Sequence, residues 1–247
     1  MKFAVYFLAV SLLLACKEER KQLPDISGFF PEQQQTPDST ARPRGQRIFK
    51  GLFVTGRNMN NFRSCDSERD NYYVVDSTHQ LDELYNTIFQ SSPAFPFEYV
   101  YVELMGELQL ADKAAAMHGF DSSIVVYDIL TFEQKNYRNT CIPYDFWAIG
   151  NEPDWSLQVS AREGILALKD YSSNEVFLFE YFDPKIINDE VYTYYSNNYA
   201  TQTSINAVFK RVNCSDGVTG NDYEYSSTVI INGKRFTGCG IRGSEVK

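Results

Sequence analysis

The sequence predicts a mainly β protein in two folded parts: an OB-fold-like barrel with one helix, followed by a small all-β barrel or sandwich. Three observations carry this. Aromatic residues are 15 % of the 247, with 17 Tyr and 18 Phe, and such rings fit a pleated, half-buried surface. Short apolar runs bounded by Gly, Pro, Asn and Asp recur along most of the chain. Only one segment shows a clear helical period. Hydrophobic residues are 43 % and charged residues 22 %, ordinary for a globular chain long enough to build a core.

In the first part, residues 45–142, Leu52–Thr55 and Tyr72–Val75 read as strands. Ser77 with Gln80 three residues later suits a capping box. Leu81, Leu84, Tyr85 and Ile88 follow at helical spacing, and Pro93 and Pro96 end the helix. Tyr99–Leu104 and Ser123–Leu130 read as two more strands. Strands, one helix, then two strands is the element order of an OB barrel.

The second part, residues 143–247, reads as nearly all β. Runs at 156–159, 165–168, 176–182, 191–195, 204–212, 223–231 and 234–238 alternate with turn signals such as Ser173-Asn174 and Asp183-Pro184. Asn232-Gly233, between Thr228–Ile231 and Lys234–Phe236, is the strongest hairpin signal in the chain.

Ahead of both lies a targeting segment. Lys2 supplies a positive start, and Phe3–Ala15 is an apolar run too short to span a bilayer. It ends Leu13-Leu14-Ala15-Cys16, which resembles the bacterial lipobox. That resemblance implies cleavage after residue 15, lipid on Cys16 and an outer-membrane location. Lys17-Glu18-Glu19 looks like the surface-export signal of Bacteroidetes lipoproteins, which implies the cell surface; the alternative is the periplasmic face of the outer membrane. Residues 16–44 form the lipidated tether. Residues 17–44 carry five acidic residues, five basic residues and four prolines, a composition that predicts disorder over a reach of roughly 30 Å.

Without Cys16, four cysteines remain, an even number that suits an oxidising compartment. Four allow three pairings. Cys65–Cys141 with Cys214–Cys239 gives one bond per domain and is the expected set.

Gly51-Leu52-Phe53, Asn61-Phe62-Arg63-Ser64-Cys65-Asp66, Leu81-x-x-Leu84-Tyr85, Val102–Glu107 and Val125-Val126-Tyr127, closed by Cys141, resemble the C-terminal OB domain of the NlpE family. These are outer-membrane lipoproteins linked to copper homeostasis, surface adhesion and envelope-stress signalling. The resemblance implies the Cys65–Cys141 bond. The family's preceding barrel with its C-x-x-C motif has no counterpart here, so copper sensing is not implied.

The second part carries G-N-E-P-x-W at Gly150–Trp155, then Cys214-x-Asp216-Gly217, Tyr223-x-Tyr225 and Gly238-Cys239. This ordered set resembles a family of bacterial envelope lipoproteins with no established activity, and implies the Cys214–Cys239 bond. Asn151, Glu152 and Trp155 are candidate ligand contacts. They also suit structural work at a chain entry, a turn and a barrel end. N-E-P also ends a strand in retaining glycosidases, with the Glu as acid/base. That chemistry needs a second carboxylate about 5–5.5 Å away, and those enzymes need a barrel of about 250 residues with repeated helices.

Function classes narrow by exclusion. Net charge is −9 and the first part has thirteen acidic against eight basic residues, which disfavours nucleic acid. The two histidines, His79 and His118, both fall in the first part and read as surface residues. No G-x-S-x-G, phosphate-binding glycine loop or C-x-x-C occurs. No metal site or cofactor is expected; Asp216-Gly217 with Gly220–Asp222 does not have calcium-loop spacing. The expectation is a lipid-anchored, non-enzymatic envelope protein that binds a protein, peptide or envelope component, in stress sensing or adhesion. The alternatives are an inhibitor or binder of a host hydrolase such as lysozyme, a purely structural envelope lipoprotein and, remotely, a glycoside hydrolase using Glu152.

Overall fold

A computed structural model describes residues 45–243 apart from residues 57, 58, 68, 91 and 219. The leader, Cys16 and the tether lie outside the described residues.

The first part is a closed barrel. Its strands are β1 (Arg47–Gly56), β2 (Met59–Ser64), β3 (Asn71–Asp76), β4 (Val100–Leu110) and β5 (Ser122–Gln134), ordered β1-β2-β3-β5-β4 and closed by β4 on β1. β3 and β5 run parallel and the other pairs antiparallel. Helix α1 (Leu81–Gln90) connects β3 to β4, as the sequence predicts. Leu81, Tyr85, Ile88 and Phe89 cover a core of Phe49, Phe53, Phe62, Val74, Val100, Val102, Leu104, Ile124 and Val126.

Two features of this barrel depart from expectation. The amides at the start of α1 are not capped by Ser77. Asp76 takes them, with Oδ2 accepting from the Gln80 and Leu81 amides at 2.9 Å each. Oδ1 binds the Thr78 amide at 2.9 Å and its hydroxyl at 2.6 Å. A second, short helix, α2 (Lys113–Met117), lies between β4 and β5, its N-cap Asp112 accepting from the Ala115 amide at 2.8 Å.

The second part is a nine-stranded antiparallel meander. β6 (Phe146–Asn151), β7 (Asp154–Ser160), β8 (Ile165–Asp170) and β9 (Glu175–Glu180) run to one edge. β10 (Lys185–Ile187), β11 (Val191–Asn198), β12 (Thr203–Lys210), β15 (Tyr225–Ile231) and β16 (Lys234–Arg242) return, and β16 pairs with β6. A small ladder, β13 (Cys214–Ser215) with β14 (Asp222–Tyr223), interrupts the return. The β15–β16 turn is Asn232-Gly233, both residues at positive φ, as a tight primed turn requires. The sheet curls into a half-barrel rather than a sandwich. Its free sides meet where Ser196 Oγ donates to the Glu180 carbonyl at 2.8 Å and Asn198 Nδ2 to the Leu178 carbonyl at 2.9 Å. The inner face holds Phe146, Ala148, Trp155, Leu157, Leu168, Tyr194, Phe209, Tyr225 and Phe236.

Each part has its own apolar core and its own disulfide. Cys65 bonds Cys141 with Cα atoms 5.0 Å apart, and Cys214 bonds Cys239 at 5.5 Å. The layer between the parts is polar yet buried. Glu98 of the barrel pairs with Lys169 of β8, and Lys135 pairs with Glu163 at 3.0 Å. Gln158 of β7 donates to Glu163.

Candidate functional site

An open groove with a volume of about 650 Å³ lies on the second part. Its floor comes from three adjacent strands: the end of β6, the first half of β15 and the middle of β16. Its wall is the segment 214–218. The two motifs of the second part meet here.

The glycines of these motifs are set by close approach. A Cβ on Gly150 would sit 2.1 Å from Trp155 Nε1 and 2.6 Å from the Thr237 carbonyl oxygen. Only a glycine leaves room for the indole to cross β6 and donate from Nε1 to Thr237 O at 3.2 Å. A Cβ on Gly238 would meet Ile149 O at 2.0 Å, so glycine also permits β16 to lie against β6. Trp155 is therefore a core residue, buried against Phe236 with ring centroids 5.7 Å apart, and it does not line the groove.

Asn151 fastens the wall to the floor. Its Nδ2 donates to the Asp216 carbonyl at 2.9 Å, across 65 residues of sequence. Cys214–Cys239 fastens the same wall to β16. Asp216 shapes the wall's turn, with Oδ1 accepting from the Val218 amide at 3.1 Å and Oδ2 from the Tyr223 hydroxyl at 3.3 Å. Burial first, and then Tyr137, pushes the Tyr223 phenol above its ordinary range, so it stays protonated and able to donate at neutral pH. Gly217 takes a positive φ of 69°. Glu152 remains exposed at the rim.

Of the three candidate contacts, the structure thus brings Asn151 and Glu152 to the groove and sends Trp155 into the core. It adds residues the motif reading did not name: Ser226, Thr228 and Thr237 as hydroxyl-bearing lining. They are outward positions whose flanking inner positions, apart from Ser227, are apolar or glycine, so strand alternation was the available signal.

The lining holds two carboxylates, Glu152 and Asp216, and no Lys, Arg, His or aromatic residue. His79 is exposed in the turn before α1, and His118 caps α2 and faces Tyr73 at 6.0 Å between centroids. Both belong to the first barrel, away from this groove's lining. Among the described residues no group of three or more His, Cys, Asp or Glu could hold a metal. Glu152 follows a strand of an antiparallel meander, a different scaffold from the (β/α)₈ barrel on which N-E-P glycosidases place their acid. The Cys214 and Cys239 sulfurs are joined to each other and so offer no thiol.

Comparison of the chain with family models, with curated proteins and with solved structures gives no match.

Proposed function

We propose that this protein is a lipid-anchored, non-enzymatic bacterial envelope lipoprotein that binds a protein, peptide or envelope component in the groove of its second part. One observation carries the reading. Two sequence motifs far apart in the chain are tied together by the Asn151–Asp216 and Cys214–Cys239 links into one wall, and the groove behind it is lined by hydroxyls and two carboxylates. Such convergent polar groups in a concavity suit recognition. Nucleophilic chemistry would need an activated nucleophile with a base in reach, and the lining offers no His, Lys or free thiol.

The anchor and the outer-membrane address rest on the lipobox at Leu13–Cys16. The link to stress sensing or adhesion rests on the NlpE resemblance of residues 45–142. Cys16→Ser should abolish incorporation of labelled palmitate; persistent labelling would remove the anchor from the proposal.

The binding reading is tested by recovery of partners from envelope extracts on the mature chain and on Thr237→Tyr. Thr237 is exposed in the groove, so the tyrosine fills it without disturbing the core. A partner held by both equally would place binding elsewhere. Hydrolysis of glycan or cell-wall substrates, lost in Glu152→Gln, would make the protein an enzyme. The net charge of −9 keeps one second reading, an inhibitor or binder of a basic host hydrolase such as lysozyme. Unchanged lysozyme activity at micromolar protein removes it.

A further inference from the structure

We infer that the tip joining β4 to β5, with Leu108, Leu110 and Met117, docks on a lipid surface. This deepens the anchored reading and rests on it.

The tip is apolar because of how β4 runs. Val100, Val102 and Leu104 belong to the barrel core, and Leu108 and Leu110 continue the same alternate face of the strand. β1 begins at Arg47, which pairs with Gly106. Residues 108–110 therefore run past the first residue of β1, and both leucines are exposed. Leu110 is 88 % exposed, and Met117 of α2 is 78 % exposed. Large apolar side chains gathered within ten residues, rather than scattered singly, mark an interaction surface.

The point where the tether enters identifies the partner. A Cβ on Gly45, the first described residue, would lie 3.3 Å from Glu107 Oε1, one residue before Leu108. β1 leaves this point antiparallel to β4, so the tip projects towards the side from which the tether arrives. The tether, residues 16–44, reaches roughly 30 Å on average, which keeps this end of the barrel within reach of the lipid on Cys16. Charge fits the same partner. Asp112 and Lys113 are the only Asp, Glu, Lys or Arg in 108–120, so the tip is neutral in a chain of net charge −9 and sits against neutral headgroups without repulsion. The backbone is also prepared. Leu108 and Leu110 pair with Ile124 and Ser122 of β5, and the Ala111 amide donates to Asp121 O at 3.1 Å. The Ala115 and Ala116 amides are both taken by Asp112, at 2.8 and 2.9 Å. A segment whose amides are already bonded loses little on leaving water. Apolar side chains on such a tip enter the boundary between headgroups and acyl chains and add a second hold to a lipid anchor.

The test uses the mature chain with Cys16→Ser, which carries no acyl group, and phosphatidylcholine bicelles bearing a gadolinium-headgroup lipid. Amide signals of residues 108–119 should lose more intensity than those elsewhere in 45–243. Leu110→Ser combined with Met117→Ser should weaken the partition at least about tenfold, the effect of one such side chain leaving the lipid. Both residues are exposed, so this variant keeps the core. No loss of signal at the tip, or an equal loss in the double variant, overturns the docking surface. Concentration-dependent shifts at the tip without lipid would make the occupant a second copy of the chain and overturn it as well. Each of these outcomes leaves the anchor standing, because palmitate labelling of Cys16 reads that separately.

Discussion

At Gly150 the smallest side chain and the largest are parts of one arrangement. The indole of Trp155 occupies the space a Cβ would need and hands its N–H to Thr237 O. Gly150→Ala should therefore destabilise the chain by more than about 2 kcal/mol, since the obstacle is a packed ring and a backbone carbonyl. Trp155→Phe should cost the lost hydrogen bond plus some packing, about 1–2 kcal/mol, whereas Trp155→Ala should cost about 3–5 kcal/mol. Urea unfolding separates the three. If Trp155→Ala were neutral for stability, the residue would not be a core residue. Asp170 makes a second residue-scale prediction. Burial pushes its carboxyl up, but Lys234, the Ser172 hydroxyl and Ser173 outweigh that and hold it down at about 2. A carboxyl depressed by folding contributes stability above its unfolded value. That contribution disappears as pH falls from about 4 towards 2. It amounts to at most about 2 kcal/mol, because Lys234 is half exposed. Asp170→Asn should flatten this part of the acid unfolding curve, measured by circular dichroism. An unchanged curve would mean that Asp170 is not held in this way.

Elements were legible where one face alone met a core. α1 announced itself because Leu81, Tyr85 and Ile88 lie over the barrel while Asp82, Glu83 and Asn86 face water. The Asn232-Gly233 hairpin was legible because only such residues accept its backbone. β2 was missed because Phe62 is its one buried residue, which leaves no alternation to read. β6 was read as a motif and not as a strand, since both its faces are largely covered and its residues run apolar without a period. α2 is too short to show a period, although Asp112 was a usable capping signal. The cap of α1 shows how local rules compete. Ser77 fits the spacing, but its amide donates to Val126 O at 3.1 Å, which holds residue 77 to the first half of β5. The preceding Asp76 is left to reach the helix. Asp76→Ala should cost about 1 kcal/mol, and Ser77→Ala less than about 0.5 kcal/mol. Equal losses on thermal melting would restore the capping box.

At the scale of the whole molecule, the sequence pattern misleads in one informative place. Ser156, Gln158 and Lys169 alternate with core residues on β7 and β8, as a solvated face would. Instead the first barrel covers them, and both β7 and β8 are buried on both faces. Periodicity reports polarity, and polarity need not mean water. Because the two apolar cores are distinct, segments 45–142 and 143–247 should each melt cooperatively when expressed alone. Broad melting of both would argue for one continuous core. The joint itself is a buried ion pair. Glu98 and Lys169 are 2 % and 7 % exposed, and the Glu98 carboxylate also accepts from the Phe95 amide at 3.3 Å. Burial pulls the Lys169 ammonium below the usual lysine range while Glu98 opposes that shift. A pair like this adds little net stability over a well-packed apolar contact, but losing one member is expensive. Glu98→Gln should therefore cost about 3–5 kcal/mol by leaving the Lys169 charge buried alone. Glu98→Leu combined with Lys169→Met should recover most of that loss, with Phe89 and Phe95, whose ring centroids lie 5.9 and 5.8 Å from Lys169 Nζ, packing on the new side chains. Denaturant unfolding of the two variants decides it. A double variant as unstable as Glu98→Gln would show that the pair is needed as an ion pair, to fix how the barrel sits on the sheet.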